Sequence, residues 1–168
     1  KYESSLFGVL YKNLEKAPKK RMIRLNEQFR MHPAIGNFIS SLYYDNEVKA
    51  GMKDQELKKS HGLTVNGLKD KVMVFCDVSH EQGYEKKGIG KSRECEAKRV
   101  MSLVKEIMSD PGGKDLSIGV ITFYAAQRDL IFDEAEKMGF ANRLPSGDYE
   151  IDDSVKATRD GREKFRIG

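Results

Sequence analysis

Apolar runs typical of strands alternate with runs typical of helices along this chain, and that alternation limits the fold most. The strand-like runs lie at residues 22–26, 72–78 and 117–121, with a weaker one near 149–157. The helix-like runs, which repeat apolar residues with helical spacing, lie at residues 33–44, 92–109 and 125–138. This order predicts an α/β domain with a mainly parallel sheet flanked by helices.

Two segments depart from the alternation. Residues 4–15 predict a short helix capped by Ser4 or Ser5, and a basic breaker follows, so residues 1–21 are expected to form an N-terminal helix and a connector. Residues 45–70 are rich in Lys, Asp, Gly and Asn, which favours an irregular insertion. Because the chain does not begin with Met, we expect residues 1–168 to be a single domain cut from a longer protein.

Composition excludes few functions. The net charge of +4, from 30 basic and 26 acidic residues, permits nucleic-acid binding without requiring it. Cys76 and Cys95 cannot form a disulfide framework or a zinc site, and Cys76 is expected in the core. This cysteine usage favours an intracellular location, cytoplasmic or nuclear. No apolar run approaches the roughly 18 residues that span a membrane, so no membrane partner is expected.

Residues 28–33 read QFRMHP and join the first strand-like run to the helix-like run after it. Pro33 suits the first turn of that helix, where its missing N–H costs nothing. An arginine beside an aromatic ring at such a junction suits a nucleotide, since Phe29 can stack on a base and Arg30 can reach a phosphate. The structural alternative, with Phe29 in the core and Arg30 in an ion pair, stays open on the residues alone. Met31 and His32 are expected to be structural.

A second polar group follows the strand-like run at 117–121. Thr122 offers a hydroxyl and the next helix offers N–H groups, which together can hold a nucleic-acid phosphate. Tyr124 can stack on a base, and Gln127 can hydrogen-bond the nucleic acid. Alternatively, Tyr124 packs under the helix and Gln127 caps it. Ligands bind at the carboxyl ends of strands in parallel α/β sheets, which is where we expect these residues.

Three motifs resemble those of the second RecA-like domain of superfamily 1 helicases, in the branch of the nonsense-mediated-decay RNA helicase and its DNA-processing relatives. Residues 28–33 match Q-[FY]-R-M-H-P in full, and residues 121–127 match I-T-P-Y-x-x-Q except that Phe123 replaces proline. The third motif, V-x-T-V-D-x-F-Q-G-R-E-K-D, is shortened. Residues 155–158 resemble its start and residues 161–164 its end, without the V-D-x-F-Q between them.

The resemblance implies roles for individual residues. Gln28, Phe29 and Arg30 would bind the nucleotide, with Phe29 stacked on adenine and Arg30 on the γ-phosphate across an interdomain cleft. Charge placed there would stabilise the transition state of phosphoryl transfer, so Arg30 is the expected catalytic residue. Glu163 would contact the ribose. The residues implied to contact single-stranded nucleic acid are Thr122, Tyr124, Gln127 and Thr158.

The implied function is that of the second motor domain of an ATP-dependent DNA or RNA helicase. Its cofactor would be ATP with Mg²⁺, and its protein partner the first RecA-like domain of the same parent chain. The Walker A loop and the Mg²⁺ ligands are expected on that first domain, so no metal site is expected here. The fragment alone is therefore expected to be inactive.

The sequence also allows two other classes of function. A catalytically inactive RecA-like module that binds nucleic acid or a protein partner is supported by the shortened third motif. An unrelated α/β nucleotide-binding enzyme is disfavoured, because no nucleophile, general base or metal cluster stands out.

Residues 88–92 read GIGKS before a helix, but Glu85 stands where a phosphate-binding P-loop needs glycine. Ser92 is expected to cap that helix. His61 and His80 have no companions for metal binding and are expected to face solvent.

Overall fold

A computed structural model describes residues 5–17, 23, 25–51, 61–86, 88 and 90–168. The chain forms two compact units, Lys1–Leu57 and Lys58–Gly168. Both combine helices with parallel strand pairs, which confirms the predicted α/β class. In the part of the chain that the structure describes, every helix is too short or too polar to cross a membrane.

The first unit contains helices α1 (Leu6–Glu15) and α2 (Pro33–Tyr43) and strands β1 (Glu27–Gln28) and β2 (Lys49–Ala50). β1 and β2 pair in parallel. The strand predicted at 22–26 is wrong for its described residues, since Ile23 and Leu25 are irregular and exposed. The β1–β2 pairing instead begins at Asn26, whose carbonyl accepts a hydrogen bond from the Lys49 amide at 2.7 Å. This is because β2 lies opposite the residues that follow the apolar run at 22–26.

Both helices of this unit begin with a side-chain cap. Ser5 Oγ accepts a hydrogen bond from the Gly8 amide at 3.1 Å, as one of the two predicted caps. α2 buries Gly36 and Ser40, whereas the larger apolar residues Phe38 and Leu42 are exposed. Ser40 Oγ accepts a hydrogen bond from the Val48 amide at 3.1 Å, so the small-residue face of α2 lies against the chain leading into β2.

The second unit contains three helices, four strands and two 3₁₀ turns among its described residues. The helices are α3 (Glu94–Ser109), α4 (Ala125–Lys137) and α5 (Asp153–Lys156). The strands are β3 (Ile118–Val120), β4 (Ala141–Arg143), β5 (Tyr149–Ile151) and β6 (Phe165–Ile167). The 3₁₀ turns cover His80–Gln82 and Pro111–Gly113.

β3 and β6 form a parallel pair with Ile118 opposite Phe165. The predicted strand near 149–157 is only partly right, because β5 ends at Ile151 and pairs antiparallel with β4 in a hairpin that was not predicted. The core lies between α3, α4 and these strands. Its buried residues are Ala97, Met101, Val104, Ile131, Ala135, Ala141, Val155, Phe165 and Ile167.

The strand predicted at 72–78 is wrong. This segment is irregular, and Phe75 is 91% exposed, because no described strand lies alongside to pair with it. Cys76, predicted in the core, is exposed, and its Sγ accepts a hydrogen bond from Arg99 Nε at 3.4 Å.

Two smaller predictions also fail. Ser92 does not cap α3, because it forms a bridge with Lys86 and Arg93 takes the cap position without a side-chain cap bond. His61 does not simply face solvent: its Nδ1 accepts a hydrogen bond from the Leu63 amide at 3.0 Å, and its Nε2 lies 3.1 Å from the Lys71 carbonyl. His80 is exposed, as predicted.

Candidate nucleotide and nucleic-acid sites

Gln28 closes the turn that follows β1 with its own side chain. Its Oε1 accepts hydrogen bonds from the Arg30 amide at 3.0 Å and the Met31 amide at 2.7 Å. Its Nε2 donates to the Met31 carbonyl at 2.9 Å. A Cβ added at Gly36 would lie 2.6 Å from this nitrogen, so the amide rests directly on α2. Three hydrogen bonds from one half-buried amide fix the path of residues 28–31.

This turn presents Phe29 and Arg30 to solvent. The Phe29 ring is 67% exposed, which rules out the alternative that placed it in the core. Arg30 is also exposed, and among the described residues it is not part of any ion pair. An aromatic ring and a guanidinium on adjacent residues are thus both available to a ligand. A base can stack on the ring while a phosphate oxygen meets the cation.

His32 and Pro33 start α2 directly after the turn. His32 Nδ1 accepts a hydrogen bond from the Ala34 amide at 3.2 Å, so this histidine caps the helix. Pro33 occupies the first helical turn, as the sequence predicts. His32 therefore has the structural role that was expected of it.

In the second unit, Thr122 and Tyr124 follow the carboxyl end of β3. The Thr122 amide donates to the Gly168 carbonyl at 3.1 Å, which extends the β3–β6 pairing, while its side chain stays half-buried. Tyr124 is 42% exposed and Phe123 is fully exposed. A pocket of about 230 Å³ lies here, lined by Glu85, Lys91, Ser92, Arg93, Glu96, Thr122, Phe123, Tyr124 and Gln127. Three of the predicted nucleic-acid residues therefore share one pocket.

Gln127 is buried, and its amide is bonded to the backbone of Arg93. Its Oε1 accepts from the Arg93 amide at 2.6 Å, and its Nε2 donates to the Arg93 carbonyl at 3.2 Å. The sequence suggested that Gln127 either contacts nucleic acid or caps its own helix. The structure instead shows it holding the residue that precedes α3. Its nucleic-acid role stays a prediction.

Arg93 is a buried residue of this region to which the sequence assigns no role. It is 8% exposed, and its guanidinium donates to the carbonyls of Val78 and Gly83 at 2.7 Å each, and to that of Ser79. It also meets Glu96 at 3.0 Å, which compensates the buried charge. Arg93 therefore ties residues 78–83 to the start of α3. Nothing in the sequence pattern distinguishes this arginine from an exposed one.

The third motif folds into a closed turn. Thr158 is 6% exposed, and its Oγ1 accepts from the Arg162 amide at 3.1 Å and donates to Asp160. That bond, with one from Arg162, lowers the pKa of Asp160. Gly161 has a φ of +80°, a left-handed conformation that glycine adopts without strain. Glu163 is exposed.

The structure does not bring all the predicted residues of this unit together. The Glu163 carbonyl accepts from Ser117 Oγ at 2.7 Å, and the Lys164 carbonyl accepts from the Ile118 amide at 2.7 Å. Thr158 and Glu163 thus precede β6 at the amino end of the β3–β6 pair, whereas Thr122 follows its carboxyl end. Residues 158–164 therefore do not lie at a carboxyl strand end, because α5 separates them from β5 and they lead into the amino end of β6.

Among the described residues, no three His, Cys, Asp or Glu side chains are grouped closely enough to hold a metal ion.

Comparison with known proteins shows the family to which this chain belongs. A family model described as "AAA domain" matches residues 2–164. "Regulator of nonsense transcripts 1" of Caenorhabditis elegans is 31% identical over 148 residues, which cover 88% of this chain and 14% of that protein. A Neurospora crassa homologue with the same name is 29% identical over 143 residues, covering 84% of this chain and 13% of its own length.

A third relative, "Putative ATP-dependent RNA helicase ECM32" of Saccharomyces cerevisiae, is 28% identical over 137 residues, covering 78% of this chain and 11% of that protein. The chain therefore belongs to the AAA domain family, and within it to the RecA-like domains of superfamily 1 helicases. It spans about one seventh or less of the length of these relatives. No solved structure matches it.

Proposed function

We propose that this chain is the second motor domain of an ATP-dependent superfamily 1 helicase. It completes an ATP site on a first RecA-like domain of the same parent protein and contacts single-stranded nucleic acid. The observation that carries this proposal is the turn at Gln28, which holds Phe29 and Arg30 side by side and exposed. Such a motor works inside the cell, in the cytoplasm or the nucleus.

Each nucleotide contact follows from the chemistry of the side chain. Phe29 stacks on adenine through its exposed ring, and Arg30 places its charge on the γ-phosphate as charge develops in phosphoryl transfer. Gln28 holds Phe29 and Arg30 in place, because its side-chain amide hydrogen-bonds the backbone of Arg30 and Met31. The Mg²⁺ that accompanies ATP neutralises phosphate charge, and its ligands belong to the first domain.

Nucleic acid meets the second unit around the pocket beside β3. Thr122 contacts a phosphate, and Tyr124 stacks on a base with the part of its ring that is exposed. Gln127 lines this pocket, whereas Thr158 lies at the other end of the β3–β6 pair and would make a separate contact. Both residues are buried and hydrogen-bonded to the backbone, so they support the local structure more than they touch the ligand. The relatives' names, which mention nonsense transcripts and an RNA helicase, support RNA as the first ligand to test.

The test replaces Arg30 with alanine in the protein that joins this domain to its first motor domain. Loss of the guanidinium should lower RNA-stimulated ATP hydrolysis by about 10³-fold or more, as for other arginines at a transferring phosphoryl group. Binding of RNA should be largely retained, because Arg30 faces the nucleotide. Phosphate release and RNA fluorescence anisotropy measure the two effects.

The matched control is Arg99→Ala, because Arg99 is an exposed arginine on α3 that lies outside the three motifs. It should leave hydrolysis near the wild-type rate. Wild-type hydrolysis in the Arg30→Ala protein would return Arg30 to a structural role and contradict the proposal.

The closed turn at Thr158 favours one alternative, a catalytically inactive RecA-like module that binds only nucleic acid or a protein partner. In this turn the segment that replaces the missing motif residues bonds to itself. The two functions predict different results for the protein that contains both motor domains. The inactive module would bind RNA but leave ATP unhydrolysed with or without RNA.

A further inference from the structure

Gly51, directly after β2, receives the Phe29 ring. Its amide donates to the Gln28 carbonyl at 2.9 Å, which extends the β1–β2 pairing by one hydrogen bond. A Cβ built at Gly51 would overlap the Cε1 and Cζ atoms of Phe29 and lie 3.1 Å from its Cδ1. One edge of the ring therefore lies on bare glycine backbone.

Backbone conformation does not require glycine here. The φ angle of Gly51 lies outside the left-handed region, unlike those of Gly62, Gly67 and Gly161. An alanine at Gly51 could adopt this φ angle without strain, and it would reduce the conformational entropy of the unfolded chain. What the glycine provides is room for a neighbouring side chain, and that side chain is the exposed ring of the proposed nucleotide site.

We propose that Gly51 is a positioning residue that seats the Phe29 ring so that its open surface can receive an adenine base. This inference rests on the proposed function and adds to it the residue that sets the orientation of the stacking ring. An exposed phenylalanine loses rotamer freedom when it binds a ligand, and a ring seated beforehand avoids that cost. The Gln28 turn fixes the backbone of Phe29, and Gly51 fixes where its ring lies.

A side chain at Gly51 should displace the ring without unfolding the protein. The ring is 67% exposed and can swing into solvent, so little packing is lost. Positioning and structural roles thus predict different results. A positioning role changes nucleotide recognition at constant stability, whereas a structural role lowers the melting temperature.

The experiment uses the protein that joins this domain to its first motor domain. It compares wild type, Gly51→Ala, Phe29→Ala and the double variant for hydrolysis of ATP and of tripolyphosphate, which has no base. Because the base would lose its stacking on the ring, Gly51→Ala should raise the KM for ATP by about tenfold. Its kcat, melting temperature and KM for tripolyphosphate should stay at wild-type values.

The double variant shows whether Gly51 acts through the Phe29 ring or independently of it. If Gly51 acts through the ring, Gly51→Ala should have no further effect on a protein that already carries Phe29→Ala. The matched control is Gly119→Ala, because nothing lies within 4 Å of a Cβ at Gly119 and its φ also lies outside the left-handed region. This variant should leave the KM for ATP unchanged.

Failure of the proposed function and failure of the inference about Gly51 alone give different results. Wild-type protein that hydrolyses no ATP, or that prefers ATP to tripolyphosphate no more than Phe29→Ala does, would overturn the proposed function and this inference together. Wild-type protein that shows the preference, with an unchanged KM in Gly51→Ala or additive losses in the double variant, would overturn the inference alone.

Discussion

At the scale of single residues, the side-chain amides of Gln28 and Gln127, which belong to two of the motifs, both form hydrogen bonds with the backbone. Gln28 closes the turn that exposes Phe29 and Arg30, and Gln127 holds Arg93 at the start of α3. The sequence identified these positions because of their motifs. It could not predict the bonds, because an amide can donate and accept anywhere within reach and its partners depend on tertiary structure. The sequence left the exposure of Phe29 and Arg30 open between two alternatives, and the structure shows both side chains exposed.

Replacing Gln28 with alanine should impair the turn more than the fold. Three hydrogen bonds are lost at a half-buried site, so the free energy of unfolding should fall by about 1–2 kcal/mol. In the joined helicase the KM for ATP should rise and kcat should fall, since both the ring and the guanidinium lose their fixed backbone. Urea denaturation and steady-state kinetics measure the two effects.

Gln82→Ala is the control, because Gln82 is an exposed glutamine in the 3₁₀ turn His80–Gln82. A Gln28→Ala protein with unchanged kinetics would show that residues 29–30 keep their positions without the amide.

At the scale of elements, α3, α4 and β3 lie close to their predicted positions because long amphipathic runs and a compact apolar run are strong local signals. The β4–β5 hairpin was missed because Asn142, Arg143 and Glu150 interrupt the apolar pattern. It is held to α4 by side chains instead. Tyr149 stacks on Phe132 with ring centroids 4.8 Å apart, and its hydroxyl donates to Asp133.

Stability should depend on pH through Tyr149. Burial, with the hydrogen bond to Asp133, raises the pKa of Tyr149 to about 12, whereas an unfolded tyrosine titrates near pH 10. The folded state therefore favours the neutral phenol, so this contribution is complete below about pH 10 and is lost as the pH rises towards 12. Tyr149→Phe should unfold more easily at pH 7 and show a flatter loss of melting temperature over that alkaline range.

Tyr84→Phe serves as the control, because Tyr84 is 81% exposed and should keep the wild-type pH profile. A Tyr149→Phe protein with the same alkaline slope as wild type would remove Tyr149 as the cause.

At the scale of the whole molecule, the α/β class and the helicase family were predicted correctly because three motifs fall at intervals along nearly the full chain. The extent of the sheet was not predicted. The apolar run at 72–78 has the composition of a buried strand, but burial requires neighbours, and no described strand pairs with it. The turn at Phe29 could be located from the sequence for the opposite reason, since a short turn needs few distant contacts, and its nucleotide role stays a prediction.

The chain alone should hydrolyse ATP at a negligible rate. Lys91, within the GIGKS sequence, is paired with Glu85 at 3.6 Å instead of being free for a phosphate, and the Ser92 backbone pairs with Lys86. In the proposed function, this chain offers an arginine and a ring for the nucleotide, and the first motor domain supplies the phosphate loop. Phosphate release by the purified chain with and without RNA tests this. Turnover comparable to that of an intact helicase would contradict it.

The exposed apolar segment Val72–Phe75 has a practical consequence for handling this domain by itself. Its residues are uncharged, exposed and of strong strand propensity, so this segment can pair with the same segment of another copy. Concentrating the purified chain will therefore favour intermolecular sheet formation over a clear monomeric solution. A lysine placed at Phe75 would oppose such pairing through like-charge repulsion between copies.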